Sequence, residues 1–184
     1  MKYAVIDLEA TGAKKNLNRI IEIGVVLTDG LNVEKTFQIF VNPESAVTPF
    51  VEKLTGITSL KLKSAPLFSA IAKEINEMLQ GRIFVAHNVS FDFSLLREEL
   101  FRCGISLSLP RLCTLKLSRK VFPRLPHYNL KYVCEYLALP EFAAHRALDD
   151  AMGAFGILRK AIETHGEEFV WKQATHKGSL ALNK

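Results

Sequence analysis

Asp7 and Glu9 stand two residues apart at the end of an apolar run, in Val5-Ile6-Asp7-Leu8-Glu9-Ala10-Thr11-Gly12. Side chains of a strand alternate faces, so the two carboxylates point the same way, roughly 6–7 Å apart. Two carboxylates this close resist joint ionisation unless a cation lies between them, and hard divalent ions such as Mg²⁺ seek clustered oxygens. Two further stretches carry acids beside predicted elements. His87-Asn88-Val89-Ser90-Phe91-Asp92-Phe93 leaves an apolar run and enters a helical pattern, and His145-Arg146-Ala147-Leu148-Asp149-Asp150-Ala151 opens another helix. Taken singly, each has an adequate structural reason. An acid in a first helical turn complements the macrodipole, Phe91 and Phe93 suit a core, and a histidine near a helix start suits the surface. Together, these acids and His145 at element ends form a pattern that the structural reasons explain poorly, because open α/β sheets place their sites at strand ends.

The elements that must position these residues follow from periodicity. Apolar, β-branched runs at about 2–7, 19–28 and 33–41 predict three strands. Thr28-Asp29-Gly30-Leu31-Asn32 predicts a hairpin, since Asp-Gly suits a tight turn with positive φ. Helical spacing appears over 66–80, with Pro66 in the first turn. Residues 82–86 read as a short buried strand, followed by a helix that Ser90 caps and that ends near Cys103, with Gly104 as its stop. A fifth strand is expected over 109–113, then a short helix over 114–120. Asn129 caps a helix of about ten residues that Pro140 follows, and a long helix over 146–164 is finished by His165-Gly166. Three strands followed by alternating helix and strand predict an α/β fold, a mixed sheet of five strands flanked by helices.

At 184 residues and 48% hydrophobic, the chain reads as one domain, large enough to bury roughly 70% of its unfolded surface. It has no apolar run long enough to span a membrane and no signal-peptide pattern, so a cytoplasmic location is expected. Cys103, Cys113 and Cys134 form no CxxC pair and no zinc spacing. The net charge is +5. If four acids are gathered at one site, the remaining surface is more basic still, which suits a polyanionic partner such as nucleic acid.

With Asp7-x-Glu9 before Ala10-Thr11-Gly12, then Asn88-x-x-Phe91-Asp92, then His145 ahead of Asp150, the chain resembles the DEDD exonuclease superfamily. The histidine places the resemblance in the DEDDh branch, near the proofreading epsilon subunits of bacterial DNA polymerase III. Ile21-Glu22-Ile23-Gly24, Leu54-Thr55-Gly56-Ile57 and the stretch from Leu115 to Asn129 also match that pattern, and the likeness covers about residues 2–163. It implies a ribonuclease H-like fold, with an exonuclease domain over 1–165 and a C-terminal tail over 166–184 that has room for a short helix. The implied activity is 3′–5′ hydrolysis of terminal phosphodiesters of DNA, at single-stranded or mispaired 3′ ends, releasing nucleoside 5′-monophosphates with two divalent cations, Mg²⁺ or Mn²⁺.

By position, the resemblance has Asp7 bridge both ions, Glu9 and Asp150 bind the ion that holds the attacking water, and Asp92 complete the cluster. His145 is then the general base. Leu54 would wedge against the terminal bases, and Thr11, Thr55, Asn88 and Phe91 would line the nucleotide pocket. Two other readings stay open: a 3′–5′ exoribonuclease of the ribonuclease T or oligoribonuclease kind, and a non-catalytic nucleic-acid-binding module. No residue read here decides ribose choice. The resemblance also implies a DNA polymerase as a partner. Trp171 and Gly178-Ser179-Leu180-Ala181-Leu182 offer a small docking segment, although a last helix and a frayed end explain them as simply. Leu107-Ser108-Leu109-Pro110 faintly resembles a sliding-clamp peptide.

One choice is internal to the third stretch. Helical geometry puts Asp149, four residues on, nearer the face of His145 than Asp150 is. The family pattern selects Asp150, which requires His145 to precede regular helix. Asp150→Asn is therefore expected to abolish metal-dependent cleavage and Asp149→Asn to retain it. The opposite order in a cleavage assay would transfer the assignment to Asp149.

Overall fold

The computed structural model describes residues 1–12, 17–140 and 145–175. Three strands open the chain: β1 (Tyr3–Ala10), β2 (Ile20–Thr28) and β3 (Val33–Phe40). The helices α1 (Pro49–Thr55), α2 (Ser59–Leu62) and α3 (Phe68–Leu79) lead to β4 (Ile83–Ala86), and α4 (Ser90–Arg102) leads to β5 (Arg111–Cys113). The chain then continues through α5 (Thr114–Val121), α6 (Leu130–Tyr136), α7 (Ala147–His165) and α8 (Glu167–Trp171). The sheet order is β3-β2-β1-β4-β5, antiparallel between β1, β2 and β3 and parallel from β1 through β4 to β5. This is the expected mixed five-stranded sheet flanked by helices.

Two helical layers explain why β1, β2 and β4 are so apolar. Even residues of β1 (Ala4, Ile6, Leu8) pack with Phe68, Ile71 and Ile75 of α3 and Leu96 of α4. Odd residues Tyr3 and Val5 pack on the other face with Leu117 of α5, Leu158 and Ile162 of α7 and Val170 of α8. Burial on both faces favours continuous apolar strands over alternation. Asp7 and Glu9 continue the odd face, so they point toward α7. The sheet edges are protected in different ways. β3 is largely exposed and carries Glu34 and Lys35, charges that discourage edge pairing. The three-residue β5 is covered by Thr175, which exchanges hydrogen bonds with Arg111. Among the described residues, no helix is long and apolar enough to cross a membrane, and the three cysteines are free. The segment Gly178-Ser179-Leu180-Ala181-Leu182 lies outside the described residues.

Several boundaries depart from expectation for local reasons. β1 runs on to Ala10 because β2 stays paired through Glu9 opposite Glu22, before a register shift at Ala10. Ser90 is the first residue of α4 and not its cap; Val89 holds that place with helical dihedrals and no side-chain capping bond. α3 begins at Phe68, beyond Pro66, because Leu67 is extended and bridges to Asn42. α1 and α2 are too short for their apolar spacing to show. Their visible signals are Thr48 with Pro49 and then Thr58, whose hydroxyls accept from Val51 N–H and Lys61 N–H.

Gly24 shows how tightly α7 meets the sheet. It lies directly opposite Asp7 in the β1–β2 ladder. A Cβ built on it would stand 2.2 Å from the carbonyl carbon of Ala147 and 2.3 Å from the amide nitrogen of Leu148. The first turn of α7 therefore rests on bare β2 backbone. Gly24→Ala is expected to push this turn away and to cost about 1–3 kcal/mol, the usual scale of overpacking. Chemical denaturation checks this, and an unchanged midpoint would contradict so close a contact.

Candidate active site

The site is built where β1 outruns β4. The parallel β1–β4 pairing ends at Val5 opposite Val85, so the farther part of β1 is free on that side. Asp92, in the first turn of α4, takes the place of the missing strand: its Oδ1 accepts a hydrogen bond from Leu8 N–H at 3.1 Å. That bond locks a buried carboxylate beside Asp7 and Glu9. The fourth acid comes from α7. His145 precedes the helix in a left-handed conformation, φ 64°, and its backbone N–H donates to Asp150 Oδ2 at 2.9 Å. One carboxylate oxygen each of Glu9 and Asp150 and one ring nitrogen of His145 lie within 4.8 Å of one another.

These residues line one open cleft of about 470 Å³. Asp7, Glu9, Asp92, Asp150 and His145 form its acidic side, with Asn88 and Phe91 beside them. Asn88 adopts a positive φ of 73°, which asparagine tolerates better than most residues, and Phe91 is 45% exposed. Asp149 is not brought to this cleft; it lines a separate hollow with Leu139, Pro140 and Met152. Thr11, Leu54 and Thr55 also lie outside the cleft lining. Thr11 is buried, and its hydroxyl accepts from Arg19 N–H while its carbonyl accepts from Thr48 N–H. It thereby clasps the end of β1 to the starts of β2 and α1. The Thr55 hydroxyl donates to Val51 O and accepts from Ile57 N–H, which shapes the end of α1. Leu54 is an exposed apolar residue on that helix.

Two residues that sequence reasoning did not single out hold this arrangement. Glu22 is fully buried on β2, directly across from Glu9. Its carboxylate accepts from Arg146 Nη2 at 2.9 Å, from Ala147 N–H at 3.2 Å and from Gln38 Nε2 at 2.7 Å. An anion at the start of α7 complements the helix dipole and ties that start to the sheet. The available signal was an acid in the middle of Ile20-Ile21-Glu22-Ile23-Gly24-Val25, where burial forbids an unpartnered charge. The second is His87, whose ring bridges Thr114 Oγ1 at 3.0 Å and Tyr128 O at 2.9 Å. Burial pushes its pKa down, and the carbonyl partner identifies Nε2 as the nitrogen carrying the proton. The bridge fixes the loop before Asn129, Leu130 and Lys131, which also line the cleft.

Burial and mutual repulsion raise all four acids above the ordinary carboxylate range. Removal from solvent, then the charges of Asp92, Asp150, Glu9 and Glu22, push the Asp7 carboxyl well above the carboxylate range. Loss of solvent raises Asp92 to about 7 despite its bond from Leu8. Glu9 is raised to about 7 by desolvation and by Asp150 and Glu22, with Arg146 opposing. Asp150 is raised as well, chiefly by desolvation. Among the described residues lining the cleft the cationic side chain is Lys131, which is 74% exposed and 3.9 Å from Glu135. A set of hard oxygen donors with unfavourable mutual repulsion fits a divalent cation.

Folding thus holds protons on these carboxyls that the unfolded chain has already released between ordinary carboxylate pKa values and about 7. The native state binds more protons in that window, so stability falls as pH rises through it. In EDTA the melting temperature is expected to drop between about pH 5 and about pH 8, and Mn²⁺ to restore it at the higher pH with far less effect at the lower. A melting temperature that rises over this range in EDTA would contradict the electrostatic picture.

The chain is similar to several known proteins. The profile of a family described as Exonuclease matches residues 4–158. A DNA polymerase III PolC-type of Caldanaerobacter subterraneus subsp. tengcongensis is 34% identical over 162 residues, covering 88% of this chain and 12% of that protein. The 3′-5′ exonuclease DinG of Bacillus subtilis is 36% identical over 152 residues, 82% of this chain and 16% of that protein. The chain thus spans under a fifth of either curated relative. A solved structure of Exonuclease X in complex with 5′ overhanging duplex DNA shares the fold, with a TM-score of 0.73 at 24% identity, over 93% of this chain and 96% of that one. Exonucleases of this kind use divalent metal ions, the group that the oxygen-rich cleft suits. From the profile match across most of its length, the chain belongs to the exonuclease family.

Proposed function

We propose that this chain hydrolyses the terminal phosphodiester at the 3′ end of single-stranded or mispaired DNA and releases nucleoside 5′-monophosphates. The observation that carries the reading is the gathering of Asp7, Glu9, Asp92, Asp150 and His145 into one open cleft from three separate stretches of chain. The four carboxylates would hold two divalent cations, Mg²⁺ or Mn²⁺. Such ions, when bound, lower the pKa of water and offset the charge that builds on the leaving 3′ oxygen. His145 is exposed at the rim and takes the proton of the attacking water. Its backbone bond to Asp150 Oδ2 holds the imidazole next to the acids without using either ring nitrogen. A well-placed general base contributes ~10²–10⁴-fold.

Asn88 and Phe91 border the terminal nucleotide, where aromatic stacking on a base contributes ~1–3 kcal/mol. Leu54 gives an exposed apolar contact to the terminal bases, while Thr11 and Thr55 shape the backbone on that side of the site. We assign the activity to residues 1–165. A DNA polymerase is the partner that such a trimming domain serves; the relative from Caldanaerobacter carries its matching stretch within a polymerase III chain.

Digestion of 5′-labelled single-stranded DNA and RNA of one sequence, with Mg²⁺, Mn²⁺ or EDTA, tests the reading. A ladder shortening from the 3′ end only with metal, faster on DNA, is the expected result; intact polymers under every condition would refute it. His145→Ala is expected to slow cleavage ~10²–10⁴-fold with cation affinity retained in calorimetry, whereas Asp7→Asn loses both. A parallel loss of cation affinity in His145→Ala would make the imidazole a ligand and not the base.

A further inference from the structure

Beside the acidic cleft, across the β4–α4 connection, lies a second hollow of about 500 Å³ with the opposite charge. Asn88, Phe91 and Asp92 face the cleft. Val89 and Ser90, interleaved with them in sequence, face the hollow. Among the described residues, its charged lining is Arg111, Lys116 and Lys120, with no acid. The Arg111 guanidinium lies 4.6 Å from the centroid of the Phe93 ring, which orients a half-buried cation without neutralising it. The Arg111 backbone is fixed by two hydrogen bonds to Thr175, at 3.1 and 2.8 Å. Lys116 and Lys120 are one turn apart on α5 and so share a face. Lys120 Nζ donates to Gln173 Oε1, a neutral partner. Neither Arg111 nor Lys116 has an acidic partner among the described residues.

Helix chemistry explains only part of this. Lys120 lies in the last turn of α5, where a cation complements the dipole. That reason does not extend to Lys116, the third residue of the helix, where the dipole disfavours a cation, or to Arg111 on the strand. A polyanion approaching the four acids also meets a repulsive field, so an adjacent cationic seat is needed to hold the rest of the strand.

We propose that the hollow formed by Arg111, Lys116 and Lys120 seats the phosphodiester backbone of the substrate strand, upstream of the 3′-terminal nucleotide held in the acidic cleft. This assignment rests on the nuclease reading and extends it to how the strand is retained. The three cations contact phosphates and not bases, so retention is independent of sequence and strongly salt-dependent.

The test compares two double charge reversals with the same change in net charge. Lys116→Glu/Lys120→Glu alters the hollow, and Lys35→Glu/Lys73→Glu alters β3 and α3; all four side chains are exposed, so folding, checked by circular dichroism, is retained. Fluorescence anisotropy with a labelled single strand of about ten nucleotides, in Ca²⁺ to slow cleavage, gives affinity as a function of salt. The hollow variant is expected to raise Kd at least about tenfold and to reduce the slope of log affinity on log salt by about 1.4, the loss of two phosphate contacts. The control is expected to change Kd less than about twofold. Equal weakening in both variants, or no weakening in the hollow variant, overturns the proposal. Hydrolysis of the p-nitrophenyl ester of thymidine 5′-phosphate, which has no upstream strand, reports on the acidic cleft alone. Its absence in the wild type would count against the nuclease reading, while the binding comparison would still decide whether the hollow holds a strand.

Discussion

The geometry of this protein depends on how the start of α7 is fastened to β2. Glu22 supplies the fastening: a fully buried carboxylate that receives the Arg146 guanidinium and the Ala147 amide. Because Glu22 is fully buried while Arg146 is partly exposed, removing the arginine leaves the carboxylate as an uncompensated buried charge. Gly24, two residues on, removes the side chain that would otherwise stand between the helix and the strand. Once α7 begins there, Asp150 in its first turn must lie beside Glu9, and His145 just before it must lie at the rim. The position of the reactive groups is thus a consequence of one ion pair and one missing Cβ.

The same fastening generates the electrostatic tension that defines the site. Asp7 and Glu9 come from a strand buried on both faces, Asp92 is drawn in by Leu8 N–H, and Asp150 arrives with α7. None of these placements is favourable for a carboxylate, which is why the pKa values of all four are raised. Arg146 opposes the rise at Glu9, yet its guanidinium is engaged by Glu22. The fold therefore keeps the cluster together by backbone and packing, and leaves its charge to be balanced by something that binds there. Divalent cations meet that requirement and supply the chemistry that phosphodiester hydrolysis needs.

Much of this was legible in the residues alone, and the parts that were not share a physical cause. β2 and β4 were readable because burial on both faces makes them continuously apolar. α7 was readable because its nineteen residues sustain a helical period. Helical spacing from His145 favours Asp149, and the family pattern selects Asp150; the positive φ of His145 places it outside the helix, as that choice requires. α1 and α2 left only capping signals, being too short to show a period. Glu22 and His87 act through partners more than twenty residues away in sequence, Arg146, Thr114 and Tyr128, and no local pattern reports such partners. The resemblance implies Thr11 and Thr55 as pocket residues; their hydroxyls bond backbone groups in this structure, and no local pattern reports which partner a hydroxyl takes.

On the proposed reading, the half-buried acids Asp7, Glu9 and Asp150 and the buried Asp92 form a divalent-cation centre at which a 3′-terminal phosphate is held. Anomalous diffraction from crystals grown with Mn²⁺ and thymidine 5′-monophosphate tests it most directly. Two manganese peaks are expected within bonding distance of Asp7, Glu9, Asp92 and Asp150, with the nucleotide phosphate against both. Crystals that bind the nucleotide but show no anomalous density at these carboxylates would contradict it.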